Sequence, residues 1–260
     1  MTGQRVIIHG LNILINKKWQ QNQAVIIEDA VIKAIIAADM ISHHLPAEIH
    51  EFPDDAYLVP GFIDMHIHGA GGYDVMDASV DALAHISELL AKEGVTGFLA
   101  TTMTADVGKI EAALAVIPDA MQHQQGAAIL GVHLEGPFIA REKMGAQNGE
   151  FVCAPDLDLF KKWQKIADDQ IKMVTLAPEL KNALPFIQAL RDMDVVAAIG
   201  HTDATYEETM SDVHAGGTYA THLFNAMRGL RQREPGAVGA LLLANEISGE
   251  LIADGKHLHP

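Results

Sequence analysis

The sequence predicts an α/β fold: a (β/α)8 barrel of the TIM type, incomplete over these residues, together with a small β-domain. Three observations predict it. From Leu58 onward, short apolar runs alternate with helical stretches through seven rounds, with short connections. Residues able to do chemistry follow the first, third, fifth and sixth of those runs. The first 57 residues lack this rhythm and consist of β-branched runs separated by polar turns. A doubly wound open sheet is the rival architecture. The barrel is preferred because the C-terminal ends of all its strands share one face, where such residues can converge.

The small domain is predicted over residues 1–57. Gln4–Ile15 and Ala24–Ile36 read as strands, with turns at Asn16-Lys17-Lys18 and Glu28-Asp29. His43 to Asp55 is polar, and His43, His44 and His50 read as solvated surface residues. The barrel is predicted over 58–260. Tyr57–Ile63 reads as a buried strand ending at His66-Ile67-His68. Ser79–Lys92 has helical spacing, with Ser79 as N-cap and Gly94 just past the end. Residues 94–101 form the second strand, 106–122 a helix and 127–133 the third strand. Residues 157–168 are helical and 171–177 form the fourth strand. A helix at 182–193, a strand at 195–199 and a helix at 205–215 follow. Residues 218–220 are the sixth strand, 236–245 a helix and 249–253 the seventh strand. An eighth strand is missing.

Composition bounds the function. The 260 residues are 49% apolar and 20% charged, as in ordinary globular proteins. A net charge of −16 argues against nucleic-acid and anionic-membrane partners. No apolar run approaches the ~18 residues of a membrane span, and the N-terminal residues lack a signal-peptide pattern. One cysteine, Cys153, excludes an intrachain disulfide framework and reads as an ordinary thiol. Together these point to the cytoplasm. Positive charge is local, at Arg141 and Lys143 and at Arg228, Arg231 and Arg233.

On a strand, residues i and i+2 point the same way, so His66 and His68 can aim at one point. Glu135, His201 and His222 also lie just past predicted strands. Imidazole and carboxylate are ligands of a zinc-like or iron-like ion. Four imidazoles and one carboxylate suit either one ion with spare histidines or two ions bridged by Glu135. A divalent ion lowers the pKa of water toward ~7 and polarises a carbonyl oxygen, so hydrolysis of an amide or ester is the expected chemistry.

Five segments carry a more specific resemblance: P-G-F-I-D-M-H-I-H-G at 60–69, G-V-H-L-E-G-P-F at 131–138, I-G-H-T-D-A at 199–204, T-H-L-F-N-A-M at 221–227 and I-A-D-G-K-H at 252–257. Together, in this order and over essentially the whole chain, they resemble the N-acetylglucosamine-6-phosphate deacetylases of the amidohydrolase superfamily. The resemblance implies a metal-dependent barrel with a small β-sandwich built from both chain ends. It implies removal of acetate from N-acetylglucosamine 6-phosphate by a homodimer or higher homo-oligomer. It implies zinc as the metal, with iron(II) as the alternative. By motif, Glu135, His201 and His222 match the family's metal ligands. His66 and His68 match a pair that some members of the superfamily keep for a second ion. Asp64 matches the acid before that pair, an orienting or loop-capping residue. Ala146, Asn225, Ala226, Arg233 and His257 match positions that contact the sugar phosphate, Arg233 through a guanidinium fork.

Two departures from the family pattern stand out. Gln147 replaces a histidine that many relatives carry near the substrate, which bears on affinity or sugar preference. The family's catalytic aspartate follows the eighth strand, beyond Pro260, and Asp254 is not its counterpart. No catalytic residue is therefore assigned, and the 260-residue chain by itself is expected to be inactive and poorly stable. The rival readings are an N-acetylgalactosamine-6-phosphate deacetylase, a cyclic amidase such as a dihydroorotase, and a non-catalytic sugar-phosphate-binding protein. A dihydroorotase would usually carry a carboxylated lysine where Glu135 stands.

Overall fold

The computed structural model describes residues 5–123 and 125–259. They fall into two compact units that meet in sequence between Gly61 and Phe62.

The first unit is all β but for one 3-10 segment, Ala38–His44. Its strands are β1 (Arg5–His9), β2 (Asn12–Ile15), β3 (Lys18–Gln20), β4 (Gln23–Glu28), β5 (Val31–Ala37), β6 (Glu48–Glu51) and β7 (Tyr57–Leu58). One sheet runs β5-β4-β1-β6 and the other β3-β2-β7. Ile13 and Leu58 from the second sheet pack with Ile8, Val25 and Ile27 from the first, which makes the unit a small sandwich. The predicted first strand is really two, because Gly10 turns the chain at φ +92°, where Phe52 leaves no room for a Cβ. Gln4 lies outside the described residues. The unit extends past residue 57 because β7 pairs with β2.

The second unit holds β8 (Phe62–Ile67), β9 (Gly69–Ala70), β10 (Tyr73–Asp74), α1 (Val80–Lys92), β11 (Val95–Thr102), α2 (Val107–Ala115), α3 (Ile117–His123) and β12 (Ala128–Glu135). It continues with α4 (Leu157–Ile166), β13 (Ile171–Leu176), α5 (Ala183–Asp192), β14 (Val196–Ile199), α6 (Tyr206–Ala215), β15 (Tyr219–Ala220), α7 (Gly236–Leu243) and β16 (Ser248–Gly249). Seven of these strands form one curled sheet in the order β16-β15-β14-β13-β12-β11-β8. Every neighbouring pair is parallel. This is the incomplete barrel that the alternation predicts, with seven strands among the described residues.

Strand parity sorts the side chains. Phe98, Val132, Leu134, Val174 and Leu176 pack with helix residues such as Leu83, Ile86, Leu114, Phe160 and Trp163 in the main core. Leu99, Met173 and Ala198 form a smaller cluster on the other face. Burial on both faces explains why these strands read as nearly continuous apolar runs. On α1, Leu83, Ile86 and Leu90 are buried at helical spacing. Each such side chain stabilises the unit by roughly 1.5–3 kcal/mol. The helix starts where Ser79 Oγ accepts from Ala82 N, and it closes before Gly94 at φ +83°.

Three expectations are corrected. Tyr57–Ile63 is not one buried strand: Pro60 lies between β7 and β8, and Phe62 and Ile63 are 65% and 58% exposed on an edge strand. The helix at 106–122 is two helices, α2 and α3. Pro118 near the start of α3 has no N–H to continue the ladder of α2. The seventh strand is the short β16, and residues 250–253 are not strand.

One buried acid stands apart. Asp212 on α6 is 1% exposed, and neither carboxyl oxygen has a hydrogen-bond partner. Burial, and then the nearby Glu179 charge, push its pKa up to about 8.

Candidate metal centre

The inward positions at the strand ends carry the polar groups. On β12, His133 and Glu135 are two residues apart and both inward, the first fully buried and the second 2% exposed. His66 belongs to β8 and His68 follows it. His201 follows β14 and His222 lies two residues past β15. Both are in the left-handed region, at φ 46° and 32°. A non-glycine residue there costs on the order of 1–3 kcal/mol, strain that clusters at functional sites. Two glycines make room. Gly136 turns the chain after Glu135 at φ +73°, against Thr104 Oγ1. A Cβ on Gly200 would meet Thr221 Cβ at 2.7 Å and Thr175 Cγ2 at 2.8 Å.

The side chains converge on Glu135. His201 Nε2 is 3.1 Å and His222 Nε2 3.3 Å from Oε1, and His66 Nε2 is 3.4 Å from the same oxygen. His68 Nε2 is 3.1 Å from Oε2. His66 and His68 approach each other at 3.2 Å through their Nε2 atoms, as do His201 and His222 at 3.1 Å. Two groups of ligand atoms result, His66–His68–Glu135 and Glu135–His201–His222, with Glu135 common to both. All five sequence-predicted ligands are thus brought together.

Three of the four outer ring nitrogens have acceptors. His68 Nδ1 faces Thr101 O at 3.2 Å, His201 Nδ1 faces Lys143 O at 2.8 Å, and His66 Nδ1 faces Glu250 Oε1 at 2.6 Å. Each acceptor fixes a proton on Nδ1 and leaves the Nε2 lone pair pointing inward, the usual support of a metal-binding imidazole. His222 Nδ1 is buried without a partner. Ligand atoms of a tetrahedral zinc, with bonds of about 2.0–2.1 Å, lie about 3.3 Å apart. The observed 3.1–3.4 Å spacings match that. The residues therefore fit one or two divalent ions.

The carboxylates and imidazoles also shift one another's protonation. Burial works against the Glu135 charge, but His201, His222, His66 and His68 hold its carboxyl well below the usual range. Burial also opposes protonation of His66, yet Glu135 and Glu250 outweigh it and push the ring up to about 10. Beneath the centre, His133 is kept neutral by burial and by the neighbouring histidines. Its Nε2 meets Thr175 Oγ1 at 2.6 Å, and Thr175 meets Thr221 Oγ1 at 2.7 Å.

Gln147 borders the cavity over the centre and also reaches Glu135. The residue is 5% exposed; its amide accepts from Thr104 N at 2.7 Å and donates to Glu135 Oε2 at 2.5 Å. It braces the shared carboxylate. Asp64 Oδ1 accepts from the His66 backbone N at 3.0 Å, within β8. Sequence reasoning missed Glu250 and His133. The second was signalled by its i, i+2 relation to Glu135; the first had no local signal.

A cavity of about 900 Å3 opens over the centre. Ala146, Asn225, Ala226 and His257 line it, but Arg233 does not and is exposed. Arg228 and Lys143 are committed to Asp203, at 2.7 and 3.3 Å.

A curled parallel sheet with histidine and carboxylate ligands at its strand ends is the construction of a metal-binding barrel hydrolase. The chain belongs to the amidohydrolase family, which matches residues 57–260. Its relatives are the deacetylases that its motifs resemble. The N-acetylglucosamine-6-phosphate deacetylase of Bacillus subtilis (strain 168) is 45% identical over 212 residues, covering 80% of this chain and 54% of the relative. The N-acetylgalactosamine-6-phosphate deacetylase of Escherichia coli O157:H7 is 37% identical over 255 residues, covering 98% and 66%. An N-acetyl-D-glucosamine-6-phosphate deacetylase mutant from Mycobacterium smegmatis, solved with N-acetyl-D-glucosamine-6-phosphate, superposes with a TM-score of 0.87 at 31% identity. It covers 99% of this chain and 65% of that one. The chain therefore spans about half to two thirds of the length of these relatives.

Proposed function

We propose that this centre serves hydrolysis of the acetamide of N-acetylglucosamine 6-phosphate, giving glucosamine 6-phosphate and acetate. The observation that carries the reading is the pair of ligand groups sharing Glu135 under one cavity. A divalent cation, zinc before iron(II), would be held by Glu135, His201 and His222, with a second at His66, His68 and Glu135. When bound, such a cation lowers the pKa of water and polarises an acyl oxygen. The chain's own residues hold and shape the site. Thr101 O, Lys143 O and Glu250 orient three imidazoles, and Gln147 orients the carboxylate. Ala146, Asn225, Ala226 and His257 face the cavity, where they can hydrogen-bond sugar hydroxyls or phosphate. Arg233 remains a proposed phosphate contact that requires its loop to reach the cavity. The same reading places the enzyme in the cytoplasm as a homodimer or higher homo-oligomer, without nucleic-acid or membrane partners.

The Escherichia coli relative favours N-acetylgalactosamine 6-phosphate as a second substrate reading. One experiment tests both. Acetate release is measured from the two sugar phosphates and from unphosphorylated N-acetylglucosamine. The zinc-loaded 260-residue chain and a version extended to the relatives' length are compared. Turnover of N-acetylglucosamine 6-phosphate by the extended version, faster than of the other two compounds, is expected. Binding without acetate release would overturn the enzymatic reading. Preference for the galactose epimer would favour the second substrate.

A further inference from the structure

Glu250 is the acid in this unit that touches two elements of the centre without belonging to either ligand group. It directly follows β16, one edge of the seven-stranded sheet, whereas His66 lies on β8, the other edge. Even so, Glu250 Oε1 lies 2.6 Å from His66 Nδ1. The same oxygen accepts from the His222 backbone N at 2.7 Å. Both side chains of the His66–Glu250 pair are 15% exposed. Of the other three imidazoles of the centre, two have a supported Nδ1 and rely on neutral backbone carbonyls, Thr101 O for His68 and Lys143 O for His201. Within the centre, His66 is the imidazole with a carboxylate behind it. A carboxylate there fixes the ring tautomer and raises the donor strength of Nε2.

We propose that Glu250 is the positioning residue that readies His66 to hold the cation of the His66–His68–Glu135 group. Its backbone contact with His222 ties that group to the second one. The assignment rests on the two-cation reading above. Glu250 contributes no ligand atom, and its effect passes through His66. Loss of such a supporting contact weakens metal binding by about 10- to 100-fold.

The test uses zinc alone as the probe. Zinc per chain is measured by elemental mass spectrometry across a graded series of zinc buffers, for wild type, E250A, E250Q and the double variant H66A with H68A. Wild type is expected to fill in two steps, and the double variant to keep one. E250A should still fill two, with the step absent from the double variant moved to about 10- to 100-fold higher free zinc. E250Q keeps one acceptor oxygen but no charge, and charge-assisted hydrogen bonds are about twice as strong as neutral ones. Its step should therefore move by about fivefold. The Trp163 fluorescence melt checks that each variant is folded. A wild-type chain that takes up a single zinc overturns the two-cation reading itself. Two wild-type steps with both steps unmoved in E250Q overturn the role of Glu250 and leave that reading standing. If E250A does not fold, E250Q decides.

Discussion

Replacing Gln147 by leucine isolates the brace on Glu135. The side chain is 5% exposed and makes two hydrogen bonds, one from Thr104 N at 2.7 Å and one to Glu135 Oε2 at 2.5 Å. Leucine fills similar space and makes neither. The buried Thr104 N–H then lacks an acceptor, which costs about 1–3 kcal/mol. Glu135 also loses a charge-assisted donor, worth about 1.5–3 kcal/mol. Its four imidazole neighbours compensate part of that second loss, and leucine adds some apolar burial. Losses around one shared group do not add in full. The expected net destabilisation is about 2–4 kcal/mol. Urea unfolding followed by fluorescence measures it, since Trp163 is fully buried in the barrel unit whereas Trp19 in the other unit is 51% exposed. A Q147L chain within about 0.5 kcal/mol of wild type, the ordinary range of a surface substitution, would refute the brace.

Removing both His66 and His68 should leave one zinc per chain, held by Glu135, His201 and His222. Loss of all zinc in a folded variant would show that the five ligands are not divided as proposed. F160A should cost about 3–5 kcal/mol, because Phe160 is fully buried against Phe186 at a ring-centroid distance of 5.6 Å. A loss below about 1 kcal/mol would mean that the cluster collapses around the void. Asp212 gives a pH signature. Its folded-state pKa is raised from 3.8 to about 8, so between those values the folded chain holds a proton that the unfolded chain releases. Stability from this group is complete below about pH 3.8 and is lost as pH rises toward about 8. D212N should flatten that part of the pH–stability curve and be the more stable of the two at pH 8. An unchanged slope would exclude Asp212 as its source.

The clustering of Glu135, His201 and His222 was legible because a barrel strand announces its end. An apolar run stops, and polar residues one or two places on face the site. The α1 boundaries were legible for a similar reason, with Ser79 and Gly94 each solving a local backbone problem. Supporting contacts were not legible. The brace from Gln147 to Glu135 was not foreseen, because its position in the chain says nothing of Thr104, 43 residues away. Glu250 fell inside a predicted strand, and its partner is 184 residues distant. The α2–α3 break turns on one proline within an otherwise helical pattern. The exposure of Phe62 and Ile63 depends on which strand becomes an edge, a property of the whole sheet rather than of the run.

The contact from β8 to the residue after β16 also bears on the order in which a growing chain becomes competent. His66 and His68 leave the ribosome early and can meet an ion while most of the sheet is still unmade. The acceptor that aims His66 arrives 184 residues later and is placed only when the last of the seven strands has joined. On the two-cation reading, tight uptake at the His66–His68–Glu135 group would therefore be a late event. An ion that binds only the state with both sheet edges in place would also favour that state by mass action, by about 2.7 kcal/mol at a hundredfold excess over the dissociation constant. On the same reading, chains made without the ion would linger in partly assembled forms open to proteolysis.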